Sequence, residues 1–148
     1  MRVKTLEWKS DLPHIVLPGC VRMVDQTRLP NCLEYLEIRD LPELWTAIRE
    51  LKVRGAPAIG IAAGFGILLA IQAAGLETVP AVLHAVENAA VFLATSRPTA
   101  VNLFWALDRM RRVASEEGRA GAYASALKDR LAREALAILD EDRHICHV

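Results

Sequence analysis

Gly55–Leu76, with the sequence GAPAIGIAAGFGILLAIQAAGL, is an uncharged segment long enough to span a bilayer. The segment is rich in Ala and Gly, contains Gln72, and has no flanking belt of aromatic residues. These features favour a helix buried in a protein core over a membrane span. We predict this helix from about Pro57 to Ala74, with Gly75 ending it.

The composition of the 148-residue chain is that of one ordinary domain. Its 18 basic residues balance 18 acidic ones, which argues against nucleic-acid binding through a basic patch. The three cysteines, Cys20, Cys32 and Cys146, form no CxxC pair and are odd in number. Free thiols in a reducing cytosol are expected. Met1–Lys9 alternates charged and apolar residues, so it does not match a signal peptide, and we expect a cytoplasmic protein.

Two regions of different periodicity divide the chain. Residues 1–40 contain three segments with period-two alternation, separated by Pro and Gly: Val3–Trp8, Cys20–Gln26 and Cys32–Ile38. Residues 41–148 show helical periodicity. We predict an α+β fold, a single domain in which a small N-terminal antiparallel β-sheet of three or four strands precedes a helical bundle of about five helices.

The boundaries of the remaining helices are predicted from capping signals. Asp40 caps the first helix, and Thr78 caps a third that runs to about Thr95. The fourth helix is predicted to begin near Pro98, and the fifth to run from about Gly121 to Asp142.

An arginine precedes the uncharged helix, in the segment Lys52–Gly60 (KVRGAPAIG). The N–H groups at a helix start, with a guanidinium beside them, suit a phosphate. Gly55 permits an unusual backbone angle and a close ligand approach, so Arg54, Gly55 and Ala56 are candidate anion-binding residues. A simple link between two helices, with Arg54 at a helix end, fits the local pattern equally well.

A second turn of this kind is Arg97-Pro98-Thr99, again ahead of an apolar helical pattern. Arg97 is a candidate second contact to the same ligand, and Asn102 could face the same cleft. The alternative is an ordinary interhelical loop, in which Ser96 or Thr99 would cap the helix. Local spacing favours this alternative slightly.

Other polar groups give weaker signals. Asp25–Arg28 fits a solvated turn better than a pocket wall. His144, Cys146 and His147 lack a fourth partner, so we predict no metal site. The three arginines Arg109, Arg111 and Arg112 are predicted to form a solvated helix face. The sequence contains no Ser-His-Asp set, Walker-type loop or dinucleotide-binding glycine pattern, so we assign no catalytic residue and no cofactor.

Three segments resemble the N-terminal part of methylthioribose-1-phosphate isomerase: Val24–Pro30, Val53–Gly60 and Ser96–Leu103. They occur in the family's order, and the resemblance covers essentially the whole chain. The regulatory subunits of translation initiation factor 2B are related to this family. By resemblance, the chain corresponds to the N-terminal domain of a larger two-domain enzyme.

The resemblance implies an aldose–ketose isomerase, an intramolecular oxidoreductase. It would convert 5-methylthioribose 1-phosphate to 5-methylthioribulose 1-phosphate in methionine salvage, a route of methionine biosynthesis. The family enzyme is a cytoplasmic homodimer that needs no cofactor, and its active site lies between the small domain and a Rossmann-like C-terminal domain. Carried over by motif, Arg54, Gly55 and Ala56 would bind substrate, and Arg97 would contact the phosphate.

The catalytic residues of the family, a cysteine and an aspartate, belong to C-terminal motifs that this sequence does not contain. Cys20, Cys32 and Cys146 do not stand in the matching context. Because the substrate's C1 oxygen is phosphorylated, transfer between C1 and C2 needs an enclosed site with a positioned acid/base. We therefore expect a truncated chain that is inactive alone and self-associates through an exposed apolar face. The alternatives are a regulatory module related to the initiation-factor subunits and a ribose 1,5-bisphosphate isomerase domain.

Overall fold

Five helices follow a three-stranded sheet in the computed structural model, which describes residues 6–53, 55–73 and 76–146, with side chains as far as Asp142. This architecture confirms the predicted α+β fold. The elements, in chain order, are β1 (Leu6–Ser10), β2 (Gly19–Val24), β3 (Tyr35–Ile38), α1 (Leu41–Arg49), α2 (Ala56–Ile71), α3 (Val79–Ala94), α4 (Val101–Arg119) and α5 (Ala124–Cys146). A short 3-10 turn, Gln26–Arg28, follows β2.

The sheet is antiparallel, in the order β1-β2-β3. Met23 pairs with Leu6 on one side and with Leu36 on the other. Both β1 and β2 pack against α2. The third strand begins at Tyr35, later than the predicted Cys32, and Cys32 is exposed.

Helix α2 occupies the centre of the fold and contacts the other four helices. Twelve of its 16 residues are buried, which confirms the prediction of a core helix. In the described part of the chain, no helix is both long and apolar enough to cross a membrane. The helix ends at Ile71, before the predicted Ala74, and the Gln72 side chain bonds instead to both backbone groups of Gly19, each at 2.9 Å. The predicted stop at Gly75 lies outside the described residues.

Two of the predicted helix caps are confirmed. Asp40 accepts a hydrogen bond from the N–H of Glu43, and Thr78 accepts one from the N–H of Ala81. Helices α4 and α5 each begin three residues later than predicted, at Val101 and Ala124. A turn closed by the Ala100 N–H and the Arg97 carbonyl, at 3.0 Å, precedes α4. Gly121, with a positive φ of 82°, forms the turn before α5.

The prediction that Arg109 lies on a solvated helix face is wrong. Its side chain is only 19 % exposed and forms ion pairs with Glu134 and Glu141 of α5. A helical wheel cannot show this arrangement, because both partners come from another helix. Arg111 is a third exposed and pairs with Glu87 and Asp108, whereas Arg112 is exposed as predicted.

Candidate anion-binding site

A cleft of about 360 Å³ lies where the first turns of α2 and α4 meet, and we call it the anion cleft. Three of the four residues predicted to bind a ligand line it, namely Gly55, Ala56 and Arg97. The fourth, Arg54, lies outside the described residues. The described residues that line the cleft are Gly55, Ala56, Ile59, Arg97, Thr99, Ala100, Val101 and Asn102.

The start of α2 forms one side of the anion cleft. Gly55 adopts φ 96° and ψ 138°, a conformation that strongly favours glycine. Its carbonyl accepts a hydrogen bond from the Ile59 N–H at 3.1 Å, and no side chain caps the helix. The first N–H groups of a helix have no acceptor within it, so this end carries partial positive charge.

The start of α4 forms the opposite side and is also uncapped by any side chain. Ala100 holds the capping position, and neither Ser96 nor Thr99 caps the helix. The Ser96 hydroxyl donates instead to the Leu93 carbonyl at 2.6 Å. Local spacing slightly favoured an ordinary interhelical loop in which Ser96 or Thr99 caps α4. That predicted cap is wrong. Two helix starts thus line one cleft, and a helix start is a favourable site for an anion.

Close packing of α2 on α4 brings the two helix starts together. A Cβ atom built on Gly60 would lie only 3.3 Å from the Asn102 carbonyl oxygen and 3.8 Å from the Ala106 Cβ. Glycine at this position therefore allows the backbones to approach at the rim of the cleft.

The loop that carries Arg97 is held in place by α1. The indole N–H of Trp45 donates to the Thr95 hydroxyl at 2.9 Å, and the Arg49 guanidinium donates to the Ser96 carbonyl at 3.4 Å. Ser96 itself is buried. These contacts fix the backbone next to Arg97 before any ligand binds, which lowers the entropic cost of binding.

The charge of the anion cleft is positive. Arg97 is half-buried, and within the described part of the chain its guanidinium has no carboxylate partner. The described lining residues include neutral polar side chains, Thr99 and Asn102, but no carboxylate, thiol or imidazole. Gly55 and Thr99 are exposed, so one side of the cleft is open to solvent. This arrangement can hold an anion, and its lining offers no acid/base for proton transfer.

Asp25 lies outside the anion cleft, but its turn supports the segment that leads to α2. Its carboxylate accepts hydrogen bonds from the N–H and the hydroxyl of Thr27, at 2.9 and 2.5 Å. Burial raises the pKa of Asp25, but the Thr27 hydrogen bonds and the nearby Lys52 charge hold it below its ordinary value. The neighbouring Gln26 N–H donates to the Lys52 carbonyl at 3.1 Å. The turn prediction is confirmed, although Asp25 is buried rather than solvated.

Metal-ligating side chains do not cluster in groups of three among the described residues. The side chains of His144, Cys146 and His147 lie outside the described part of the chain. Cys20 and Cys32 are free thiols, and neither lines the anion cleft. Burial raises the pKa of Cys20, so it is a poor nucleophile.

The fold and the cleft define an α+β domain in which two helix starts and an arginine line one cleft. The chain belongs to the initiation factor 2 subunit family, whose model matches residues 52–148. One relative, a 5-deoxyribose 1-phosphate isomerase from Moorella thermoacetica, is 48 % identical over 128 residues, which is 86 % of this chain and 36 % of the relative. Another, a methylthioribose-1-phosphate isomerase from Geobacter metallireducens, is 40 % identical over 146 residues, 99 % of this chain and 39 % of the relative.

Two solved structures share the fold. The 5-methylthioribose 1-phosphate isomerase from Pyrococcus horikoshii superimposes with a TM-score of 0.82 at 36 % identity, over 93 % of this chain and 36 % of that one. The delta subunit of translation initiation factor eIF-2B from A. fulgidus gives a TM-score of 0.81 at 35 % identity, over 95 % and 38 %. The chain therefore spans a little over a third of the length of the relatives that it matches.

Proposed function

We propose that this chain is the N-terminal, substrate-binding part of a methylthioribose-1-phosphate isomerase. The enzyme would convert 5-methylthioribose 1-phosphate to the corresponding ribulose phosphate in methionine salvage. The observation that carries the proposal is the anion cleft, in which Arg97 and two uncapped helix starts converge. The names of the Geobacter and Pyrococcus relatives point to the same substrate.

In this proposal, Arg97 and the N–H groups at the starts of α2 and α4 hold the phosphate. Gly55 and Ala56 allow the sugar phosphate to approach the backbone, and Arg54 is assigned by its motif alone. The described cleft lining has no acid/base, so we propose that proton transfer depends on a cysteine and an aspartate of a second, Rossmann-like domain, as in the resembled family. These 148 residues alone would then bind substrate without turning it over. The complete enzyme is proposed to be a cytoplasmic homodimer without a cofactor.

A second candidate substrate is 5-deoxyribose 1-phosphate, which the name of the Moorella relative supports. It differs from the first candidate only at the 5-position of the sugar, so the phosphate contacts proposed above serve both. A regulatory role, supported by the likeness to the eIF-2B delta subunit, would instead require contacts with other initiation-factor subunits. Recovery of such subunits in a pull-down, together with absence of isomerase activity, would favour this role.

The test is substitution of the half-buried arginine in the complete gene product. We expect Arg97→Ala to weaken binding of 5-methylthioribose 1-phosphate about 10- to 100-fold, because a charge-assisted hydrogen bond contributes about 1.5–3 kcal/mol. Arg112→Ala is the matched control, since Arg112 is an exposed arginine of α4 that does not line the cleft. Isothermal titration calorimetry measures both. Equal affinities for the two variants would refute the assignment of Arg97.

A further inference from the structure

A second, apolar groove of about 300 Å³ adjoins the anion cleft, and we call it the Trp105 groove. Its apolar wall is formed by Pro57, Gly60 and Ile61 of α2, Trp105 of α4 and Ile138 of α5. Trp105 is 52 % exposed, which is unusual for the largest apolar side chain. The proposed phosphate contacts leave this groove without a role.

The Trp105 groove lies next to the anion cleft, and Asn102 lines both. Along α4, Asn102 and Trp105 lie one helical turn apart on the same face. Along α2, Ala56 lines the cleft and Gly60, one turn later, lines the groove. A ligand held by its phosphate at the helix starts would therefore extend along both helices into the groove.

Trp105 is held in place by the ion cluster between α4 and α5. The Arg109 guanidinium lies 5.4 Å from the centre of the Trp105 ring. Arg109 in turn donates to Glu134 at 2.9 Å and to Glu141 at 3.0 Å. A ring fixed by a cation–π contact of this kind presents a preformed apolar surface.

The charges at the groove oppose a second phosphate. Glu141 and Asp142 line it, and Arg109, whose guanidinium lies over the Trp105 ring, is already paired with two carboxylates. Asp142 has no ion-pair partner in the described part of the chain. The anion cleft and the Trp105 groove thus differ in sign, and the groove suits an uncharged, apolar group.

We propose that the Trp105 groove receives the apolar 5-substituent of a ribose 1-phosphate, and that the negative charge of Asp142 selects against a phosphate at that position. This inference rests on the proposed function, whose substrate carries a methylthio group there. Contact between sulfur and an aromatic ring is favourable, so Trp105 distinguishes a methylthio group from a smaller methyl group. The groove would also reject ribose 1,5-bisphosphate.

The experiment compares kcat/KM of the complete gene product for 5-methylthioribose 1-phosphate, 5-deoxyribose 1-phosphate and ribose 1,5-bisphosphate. We expect Trp105→Ala to lower the preference for the methylthio over the deoxy substrate about tenfold, the usual effect of losing contact with one small apolar group. Phe104→Ala, at the adjacent α4 position outside the groove, should leave that preference unchanged. Asp142→Asn should raise kcat/KM for the bisphosphate several-fold relative to the other two substrates.

The possible results test the role of the groove, the charge selection and the proposed function separately. If the unmodified protein is active and the Trp105→Ala variant keeps the wild-type substrate preference, the groove does not have the proposed role. The proposed function would then still stand. A tenfold loss of the methylthio preference in the Phe104→Ala control would also contradict the proposed role of the groove. If Asp142→Asn leaves kcat/KM for ribose 1,5-bisphosphate unchanged, selection against a second phosphate by charge is contradicted. An unmodified protein that isomerises neither ribose 1-phosphate would overturn the proposed function, and the groove's role with it. Circular dichroism and a Trp105→Leu variant separate misfolding from a change in preference.

Discussion

Glu134→Gln removes the charge at the centre of the ion cluster between α4 and α5. The Glu134 side chain is 11 % exposed and pairs with Arg109 at 2.8 Å and with Arg130 at 2.9 Å. Burial raises the pKa of Glu134, but the hydrogen bonds from the two arginines outweigh burial and hold the pKa below its ordinary value. The substitution preserves shape and leaves both guanidinium groups without this carboxylate.

The size of the effect follows from the burial of the pair. Removing one partner of a fully buried ion pair costs about 3–5 kcal/mol. Arg109 keeps its pair with the exposed Glu141, and the new amide oxygen still accepts a hydrogen bond. We therefore expect a loss of about 2–3 kcal/mol in the free energy of unfolding. For a chain of this size, that corresponds to a fall in Tm of about 5–10 °C.

The assay is urea unfolding of the 148-residue chain, followed by far-ultraviolet circular dichroism. Glu87→Gln is the matched control, because Glu87 also pairs with an arginine of α4 but is 59 % exposed. An exposed pair contributes about 0–1 kcal/mol, so the control should lose less than 1 kcal/mol. Equal, small losses for both variants would show that burial does not strengthen the Glu134 pairs, and would refute the reasoning.

Two further predictions concern pH and the start of α2. The lowered pKa values of Glu134 and Asp25 mean that their stabilisation is present above the unfolded-state pKa and lost as pH falls through the folded-state pKa. The free energy of unfolding should therefore fall in acid below about pH 4, and less steeply in Glu134→Gln; an unchanged slope would contradict this. Gly55→Ala and Gly121→Ala both force a residue with a side chain into a positive φ and should each cost about 1–3 kcal/mol. Only Gly55→Ala should also weaken phosphate binding, as measured by calorimetry, and equal binding by the two variants would argue against the anion cleft.

The local signals in the sequence predicted most of the fold. Asp40 and Thr78 cap helices because their side-chain oxygens satisfy backbone donors a few residues away, and such interactions do not depend on the rest of the molecule. The uncharged segment predicted a buried helix because its Ala- and Gly-rich composition, with Gln72 inside it, suits a protein core better than a lipid bilayer. The errors lie at boundaries such as the end of α2, where Gln72 bonds to a residue of β2 that is distant in sequence.

For the candidate site, the sequence predicted that Arg97 contacts the same ligand as Gly55 and Ala56, and the structure shows that the three residues line one cleft. Two turns some forty residues apart line one cleft because α2 and α4 pack closely at Gly60, a contact without any local signal. Helix packing also decides the surroundings of Arg109, whose partners lie on α5, and the Trp105 groove, to which three helices contribute. The sequence by itself determined the elements and their caps, since these depend on neighbouring residues. Only the tertiary structure decided which helix starts, charges and apolar faces share one surface, because that depends on how the helices pack.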